Sequence, residues 1–512
     1  MSSRPVRSGP RPAGAGPAQA KTRNVARREV DPARVVAWRT LRAVDEQDAY
    51  ANLELGEQLR RAGLTGRDAA LATELTYGAL RGRARYDAVV AACIDRPLAD
   101  VDAAVLDALR LGAHQLLATR VPPHAAVAAT VDLVRAEIGQ GAAGFANAVL
   151  RRVAEADLAA WLARVAPDAA TDADGHLAVT ASHPVWIVRA LRDALVIAGR
   201  PAAELTALLD ADNARPVVAL VTLPGLAEPA ELTAVGARAG ALSPRAVAVT
   251  GAPGDLAAVR EGRARVQDEG SQLVALAFAA APLEGPDTGQ WLDLCAGPGG
   301  KSALLGAVLA ARRAAGDLPA GACLVANESA LHRVGLVKGS VAAVVAASPG
   351  SVDVRVGDGR ETGGGEPGRY DRVLVDAPCT GLGALRRRPE ARWRRQPADL
   401  AGLGPLQRDL LTSALDAVRP GGVVAYVTCS PHPAETRMVV SDVLKKRPDV
   451  ERLDARAALA EIAAGPVADG LDADTLGAGP DAQLWPHLHG CDAMYLALLR
   501  RTGPAGTSGE SS

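Results

Sequence analysis

Apolar positions recur every three to four residues from Asp31 to about Val153. The pattern runs through "VVAWRTLRAV", "LTGRDAALATELTYGALRGRARYDAVVAAC", "VDAAVLDALRLGAHQLLATRVP", "HAAVAATVDLVRAEIG" and "FANAVLRRVAEADL". No strand-like alternation interrupts it, so residues 31–155 are expected to form an all-helical domain. Asp31-Pro32 supplies a capping side chain and a first-turn proline for the first helix. Residues 156–180 lose the period and read as a linker. In residues 181–265 a helix, "SHPVWIVRALRDAL", is followed by short strands at "RPVVALVTLP" and "AVAVTGAPGDL", which suggests a small α/β module.

From residue 266 to 501 strands and helices alternate, which predicts an α/β domain with a doubly wound parallel sheet. Strands are expected at "WLDLC", "CLVANE", "VDVRVGD", "RVLVDAP" and "VVAYVTC", with "CDAMYLALLRR" as the last. The clearest helix is "PLQRDLLTSALDAV", with Leu406, Leu410, Leu411, Leu415 and Val418 on one face. Pro420-Gly421-Gly422 is expected to stop it.

Length and charge narrow the picture. A chain of 512 residues exceeds one ordinary core, so several domains are required. The formal net charge is −1 and the pI about 6.7, so nucleic-acid binding would have to come from a local basic patch. All but five of the 57 Lys and Arg residues are Arg, and Ala and Gly are abundant. Arginine richness alone is therefore weak evidence for such a patch. Residues 1–30 carry seven Lys/Arg against Glu29 and read as a disordered basic tail, a solvated extension in preference to a non-specific RNA tether; residues 502–512 read as a second tail. The six cysteines (Cys93, Cys295, Cys323, Cys379, Cys429 and Cys491) include no C-x-x-C pair, so no metal site is expected. With no secretory leader and no apolar run of membrane-spanning length, a cytoplasmic protein without a membrane partner is expected. A monomer is the expected state.

The first chemical signal is "CAGPGGKS", Cys295–Ser302, a Gly-rich turn between an apolar strand and a helix. Such a turn aims backbone N–H groups at a ligand. A phosphate loop would end in the same Gly-Lys-Ser, but needs Gly where Cys295 stands. "RVLVDAP" would then serve as the metal-binding strand of an ATPase. A nucleoside cofactor without polyphosphate, such as S-adenosylmethionine, is the other candidate. The strand ends carry Glu328, Asp358 and Asp376, and this row of acids suits ribose hydroxyls better than a triphosphate.

Two further strands end in cysteine turns, "DAPCTGLG" (Cys379) and "YVTCSPHP" (Cys429). Cys93, Cys323 and Cys491 read as small buried hydrophobes. Two cysteines in one crevice beside an acid and a cofactor loop call for another explanation. Carbon 5 of a pyrimidine is a poor nucleophile. Thiolate addition at carbon 6 makes it enamine-like and able to accept a methyl group. Asp376 is suited to hydrogen-bond the ring nitrogen and amino edge of cytosine.

"DLCAGPGGKS", "DAPCTGLGALRRRPEARWRR" and "YVTCSPHPAET" resemble the motifs of the RNA 5-methylcytosine methyltransferases. "RVQDEGSQL" is similar to the start of their catalytic domain. The helical "LTYGALR", "LRLGAHQLLATRVPPHAAV" and "FANAVLRR" resemble the NusB-like RNA-binding domain of the RsmB/Sun branch, which methylates a cytosine in small-subunit ribosomal RNA. The resemblance covers roughly residues 31–500. It implies a NusB-like N-terminal domain and a Rossmann-like class I methyltransferase domain that uses S-adenosylmethionine.

Carried over, the resemblance implies a cofactor loop of Cys295, Ala296, Gly297, Pro298, Gly299, Gly300 and Lys301. Glu328 would hold the ribose, Asp358 would lie near the adenine, and Arg333 would join the cofactor site. Asp376 would lie between cofactor and base, Cys429 would be the nucleophile, and Cys379 would help release the product. Departures from the family pattern are Gly297 for the commoner Ala, Glu328 for Asp, "CDAMY" where Gly-Phe-Phe usually follows the Asp, and "VALVTLP" without the Arg-x-Asn of the middle module. Arg386, Arg387, Arg388, Arg392, Trp393, Arg394 and Arg395 combine phosphate-neutralising and stacking groups, and are expected to contact RNA. "PHLHGC" has too few ligands for a metal. The reading is an S-adenosylmethionine-dependent rRNA cytosine-5 methyltransferase. The alternatives are a catalytically inactive RNA-binding protein and a P-loop-like ATPase.

Overall fold

The computed structural model describes Met1 and residues 30–503; both predicted terminal tails lie essentially outside the described residues. The helical domain forms as the apolar period predicts. Seven helices (Pro32–Gln47, Ala51–Ala62, Gly66–Arg81, Arg83–Ala92, Ala103–Ala118, Pro123–Glu137 and Gln140–Val153) surround a core that includes Trp38, Leu41, Leu75, Leu109, Leu133 and Leu150. Asp31 caps the first helix by accepting the Arg34 N–H at 3.2 Å.

The expected linker is helical instead. Leu158–Val165 and Ala173–Thr180 are helices capped by Asp157 and Asp172, and Trp161 of the first buries itself in the helical domain. Eight-residue helices are too short to display a convincing period, but their Asp caps were readable signals. Helices Val185–Ile197 and Leu205–Asn213 follow. The middle sheet is antiparallel, in the order β2-β3-β1-β4, with β1 at Val218–Thr222, β2 at Arg238–Ala239, β3 at Ala246–Val249 and β4 at Ala264–Val266. Only β1 and β3 were anticipated, because β2 and β4 are too short to show alternation.

The C-terminal domain is built on β5 (Gln290–Asp293), β6 (Cys323–Glu328), β7 (Val352–Val356), β8 (Tyr370–Asp376), β9 (Val418–Thr428), β10 (Val450–Leu453), β11 (Ala482–Gln483) and β12 (Tyr495–Arg501). The order is β10-β12-β9-β8-β5-β6-β7, with β11 beside β12. The five strands from β7 to β9 in this order are parallel, but β12 pairs antiparallel to β9 and β10 antiparallel to β12, so the sheet is mixed rather than wholly parallel. The strands β10 and β11 were not foreseen. Helix Pro397–Ala417 ends at the expected place, although Pro420-Gly421-Gly422 lies within β9 beyond it. The β8–β9 register slips between Tyr370 and Arg372, which accommodates that irregular stretch.

Three regions meet at residues 382–395. Leu382 and Leu385 pack with Ile187, Leu191, Leu195 and Leu208. Arg392 is wholly buried and donates to the Ser182 and Asp212 carbonyls and to Asn213 Oδ1, at 3.1, 2.7 and 2.7 Å. Trp393 donates to the Leu80 carbonyl at 2.8 Å, and Arg394 to the Ala49 carbonyl at 2.6 Å. Replacing Arg392 with Met strands these acceptors inside the junction. The expected loss is about 2–4 kcal/mol of unfolding free energy, read by urea denaturation, with earlier proteolytic cleavage between the domains.

Candidate active site

In a parallel sheet the strand ends set the site, and here β5, β8 and β9 finish together. Asp293 at the end of β5 is level with Leu374 of β8, and Asp376 of β8 is level with Val427 of β9. The turns after these strands therefore bring Cys295, Cys379 and Cys429 to the same end of the sheet.

The Gly-rich turn runs from β5 into helix Gly300–Ala315. Gly299 adopts φ +100°, and a Cβ there would lie 2.5 Å from Ser340 Cβ, so only glycine fits this entrance to the helix. Asn327 bridges the turn to the end of β7, donating to the Leu294 and Gly357 carbonyls, each at 3.0 Å. Asn327 was not singled out in the sequence, since its importance lies in contacts distant along the chain.

Lys301 and Ser302 face the protein rather than an external phosphate. Lys301 Nζ is 2.8 Å from Asp376 Oδ2, and Ser302 Oγ donates to Asp293 at 2.6 Å. Burial opposes the charge on Lys301, but the Asp376 carboxylate outweighs it and holds its pKa above the ordinary value. Burial pushes Asp293 up to about 7, against the hydrogen bond from Ser302. A phosphate loop would need this lysine and this hydroxyl for phosphate and metal, so the geometry disfavours the ATPase reading.

Glu328, 4% exposed, ends β6. It accepts the Ala330 N–H at 2.8 Å and lies 3.5 Å from Arg333 Nη2, which also donates to the Gly297 carbonyl at 2.6 Å. A Cβ on Gly297 would fall 2.0 Å from Glu328 Oε2 and 2.5 Å from Arg333 Nη2. The two departures are thus physically linked: the longer Glu328 occupies space that an alanine at 297 would need. Asp358 follows β7 and is partly exposed. It accepts the Arg360 N–H at 3.0 Å, and bonds from Arg360 hold its carboxyl below the usual range. Glu328 at the end of β6, the Gly-rich turn packed against it and the helix N-terminus fit a nucleoside cofactor. Burial raises the Cys295 thiol well above its ordinary value, and the residue packs against the core below the turn.

Cys379 Sγ and Cys429 Sγ lie 3.5 Å apart, both partly exposed. The hydrogen bond between them, with Cys379 as donor, is the largest influence lowering the Cys429 pKa. Burial and Asp376 oppose it, while Arg388 and Lys301 reinforce it. The same bond, with burial, raises Cys379. The two sulfurs are thus shifted in opposite directions, Cys429 down and Cys379 up.

Glu435, 1% exposed, fixes both cysteine turns. It accepts from Thr380 N at 2.7 Å, Thr380 Oγ1 at 2.5 Å and Ser430 Oγ at 2.6 Å. It falls within the quoted "YVTCSPHPAET", but nothing local in that motif tells which partners its carboxylate meets.

The arginine-rich segment needs correction. Arg392, Trp393 and Arg394 belong to the domain junction, and Arg392, being wholly buried, is unable to touch RNA. Arg387 pairs with buried Asp492 of "CDAMY", and Arg386 donates to the Gly490 carbonyl at 2.7 Å and lies 3.4 Å from Asp268. Arg395 lies 3.8 Å from Asp399. The Arg388 guanidinium makes no hydrogen bond or ion pair among the described residues, and lies over the Tyr50 ring instead. In "PHLHGC", His487 pairs with Glu204 and His489 accepts the Trp485 N–H. Among the described residues no group of three His, Cys, Asp or Glu side chains is arranged to hold a metal, and no helix is long and apolar enough to cross a membrane. Cys93 and Cys491 are buried as expected, while Cys323 is only partly so.

Fold and site together define a methyltransferase-type crevice joined to a helical domain. The profile of the 16S rRNA methyltransferase RsmB/F family matches residues 280–500, and that of the NusB family matches residues 31–155. A Mycobacterium tuberculosis (strain H37Rv) protein described as "Putative methyltransferase" is 50% identical over 94% of this chain and 99% of its own. Ribosomal RNA small subunit methyltransferase B of Pseudomonas putida is 32% identical over 82% of this chain and 91% of its own. The crystal structure of PH0851 shares the fold, with TM-score 0.72 and 19% identity over 92% of this chain and 99% of that one. The chain belongs to the RsmB/F family of 16S rRNA methyltransferases.

Replacing Cys379 with Ala removes the hydrogen bond that most favours the Cys429 thiolate. The pH midpoint for alkylation of Cys429 by iodoacetamide, followed by mass spectrometry, is expected to move upward; an unchanged midpoint refutes the donor assignment. Glu435→Ala leaves the buried Thr380 N–H without its acceptor and reduces the Thr380 and Ser430 hydroxyls to their mutual 3.3 Å contact, and is expected to cost about 2–3 kcal/mol in urea unfolding.

Proposed function

We propose that the protein transfers a methyl group from S-adenosylmethionine to carbon 5 of a cytosine in small-subunit ribosomal RNA, through a covalent Cys429–cytosine adduct. The observation that carries this reading is the sulfur pair 3.5 Å apart, one favouring the thiolate and one the thiol. A binding protein without chemistry has no use for that asymmetry. An ATPase leaves both cysteines unexplained.

When bound, S-adenosylmethionine supplies an electrophilic methyl group. Glu328, the Gly297 face and the N–H groups at the start of helix Gly300–Ala315 would hold the cofactor, with Arg333 and Asp358 at the rim. Asp376, backed by Lys301, stands where a carboxylate can accept the amino edge of cytosine. The Cys429 thiolate adds to carbon 6, forming an S–C6 bond and moving electron density toward carbon 5. Carbon 5 takes the methyl group as the S–CH3 bond breaks, its electron pair staying on the departing S-adenosylhomocysteine; the carbon 5 proton is then lost to water and the S–C6 bond breaks, returning the electron pair to Cys429 and restoring the aromatic ring. Cys379, the protonated partner against Cys429, assists this release. A stacked target base would have to be extruded to reach the crevice.

Methyl transfer from labelled S-adenosylmethionine to unmodified small-subunit rRNA tests the reading. Cys429→Ser and Cys379→Ser are each expected to lose turnover by at least about a hundredfold. A covalent protein–RNA adduct is expected to accumulate only in Cys379→Ser. An adduct confined to Cys429→Ser would exchange the two roles. No transfer by wild type, on naked RNA or on assembly intermediates, would favour the binding-protein reading.

A further inference from the structure

Arg388 stands apart in its segment. The neighbouring arginines meet carbonyls or carboxylates, whereas its guanidinium makes no hydrogen bond or ion pair among the described residues. It lies instead 5.6 Å from the centre of the Tyr50 ring, partly exposed. Tyr50 comes from the helical domain, is 49% exposed, and forms no hydrogen bond through its hydroxyl among the described residues.

The position of Tyr50 is fixed from both sides. Arg394 donates to the Ala49 carbonyl at 2.6 Å, and buried Glu390 accepts the Ala51 N–H at 3.4 Å. Arg394 also lies 5.6 Å from the Tyr50 ring centre. Fixed neighbours around an exposed ring mean that little side-chain order remains to be lost on binding. The patch also adjoins the chemistry. Arg388 follows Cys379 in the same loop, and its charge is close enough to favour the Cys429 thiolate. An unpaired guanidinium beside an exposed aromatic ring suits a phosphate and an unstacked base, not an apolar partner.

We propose that Tyr50 and Arg388 form a composite contact for single-stranded RNA, gripping the nucleotides that flank the base held at the two cysteines. This rests on the RNA reading above and narrows the RNA contact of the arginine-rich segment to Arg388. It also gives the helical domain a direct part in the mouth of the active site.

The full-length chain is titrated with a short fluorescent single-stranded RNA carrying one central cytosine, over a salt series, and methyl transfer to the same RNA is measured in parallel. Arg388→Met is expected to weaken binding about fivefold and to lower the slope of log affinity against log salt by about 0.7, while Arg388→Lys keeps the slope. Tyr50→Ala is expected to weaken binding about tenfold, and Tyr50→Phe less than about twofold. Thermal unfolding of each variant guards against misfolding, and the retained slope of Arg388→Lys separates charge from structure. Unchanged affinity and slope in both Arg388→Met and Tyr50→Ala overturn the contact, even if wild type transfers methyl groups. Absence of RNA binding by wild type also overturns it. An Arg388-dependent slope without any methyl transfer supports the contact and overturns the reaction instead.

Discussion

The buried Glu435 carboxylate is the tie on which the geometry of the site depends. It accepts from Thr380 next to Cys379 and from Ser430 next to Cys429, so one side chain sets the spacing of both turns. A polar group at this depth is tolerated because its acceptor sites are filled by hydrogen bonds. The sulfur separation of 3.5 Å is a consequence of those bonds together with the parallel alignment of β8 and β9. Loosening either would separate the two sulfurs.

A second buried network carries the site's surroundings. Asp268, at the start of helix Glu269–Ala280, accepts the Gly270 and Asp492 N–H groups, each at 2.9 Å. Arg387 and Arg386 meet the same acids. Burial, with the Asp492 charge behind it, lifts Asp268 to about 6. These groups join three distant segments, namely the start of the catalytic domain, the loop after Cys379 and the approach to β12. Charge that the sequence displays as a basic run is thus largely neutralised inside the protein. What remains for an anionic partner is concentrated at Arg388, where the helical domain supplies Tyr50.

The arginine-rich segment also explains why two folds with separate cores act as one molecule. Arg392 reaches the Ser182 and Asp212 carbonyls, and Trp393 and Arg394 reach back to the helical domain. The junction thus lies in the same stretch of chain that follows Cys379, so the helical domain packs beside the cysteine crevice. The cofactor side is more self-contained, with Asn327, Glu328 and Arg333 gathered around the Gly297 face.

The sequence by itself determined whatever depends on local period and local turn chemistry. Helices of ten residues or more announced the N-terminal domain. Apolar runs marked β5 to β9, and the two cysteine motifs and the Gly-rich turn identified the strand ends that matter. Short elements escaped because two to eight residues hold too little pattern, as with β2, β10, β11 and the two helices read as a linker. Only the tertiary structure decided where charges go. "RRRPEARWRR" looks like a solvent-facing basic surface, yet Arg392 is wholly buried and Arg387 is paired with Asp492. The difference lies in acceptors more than a hundred residues away, which no local spacing encodes. The asymmetry between Cys379 and Cys429 likewise exists only once the fold has brought their sulfurs into contact.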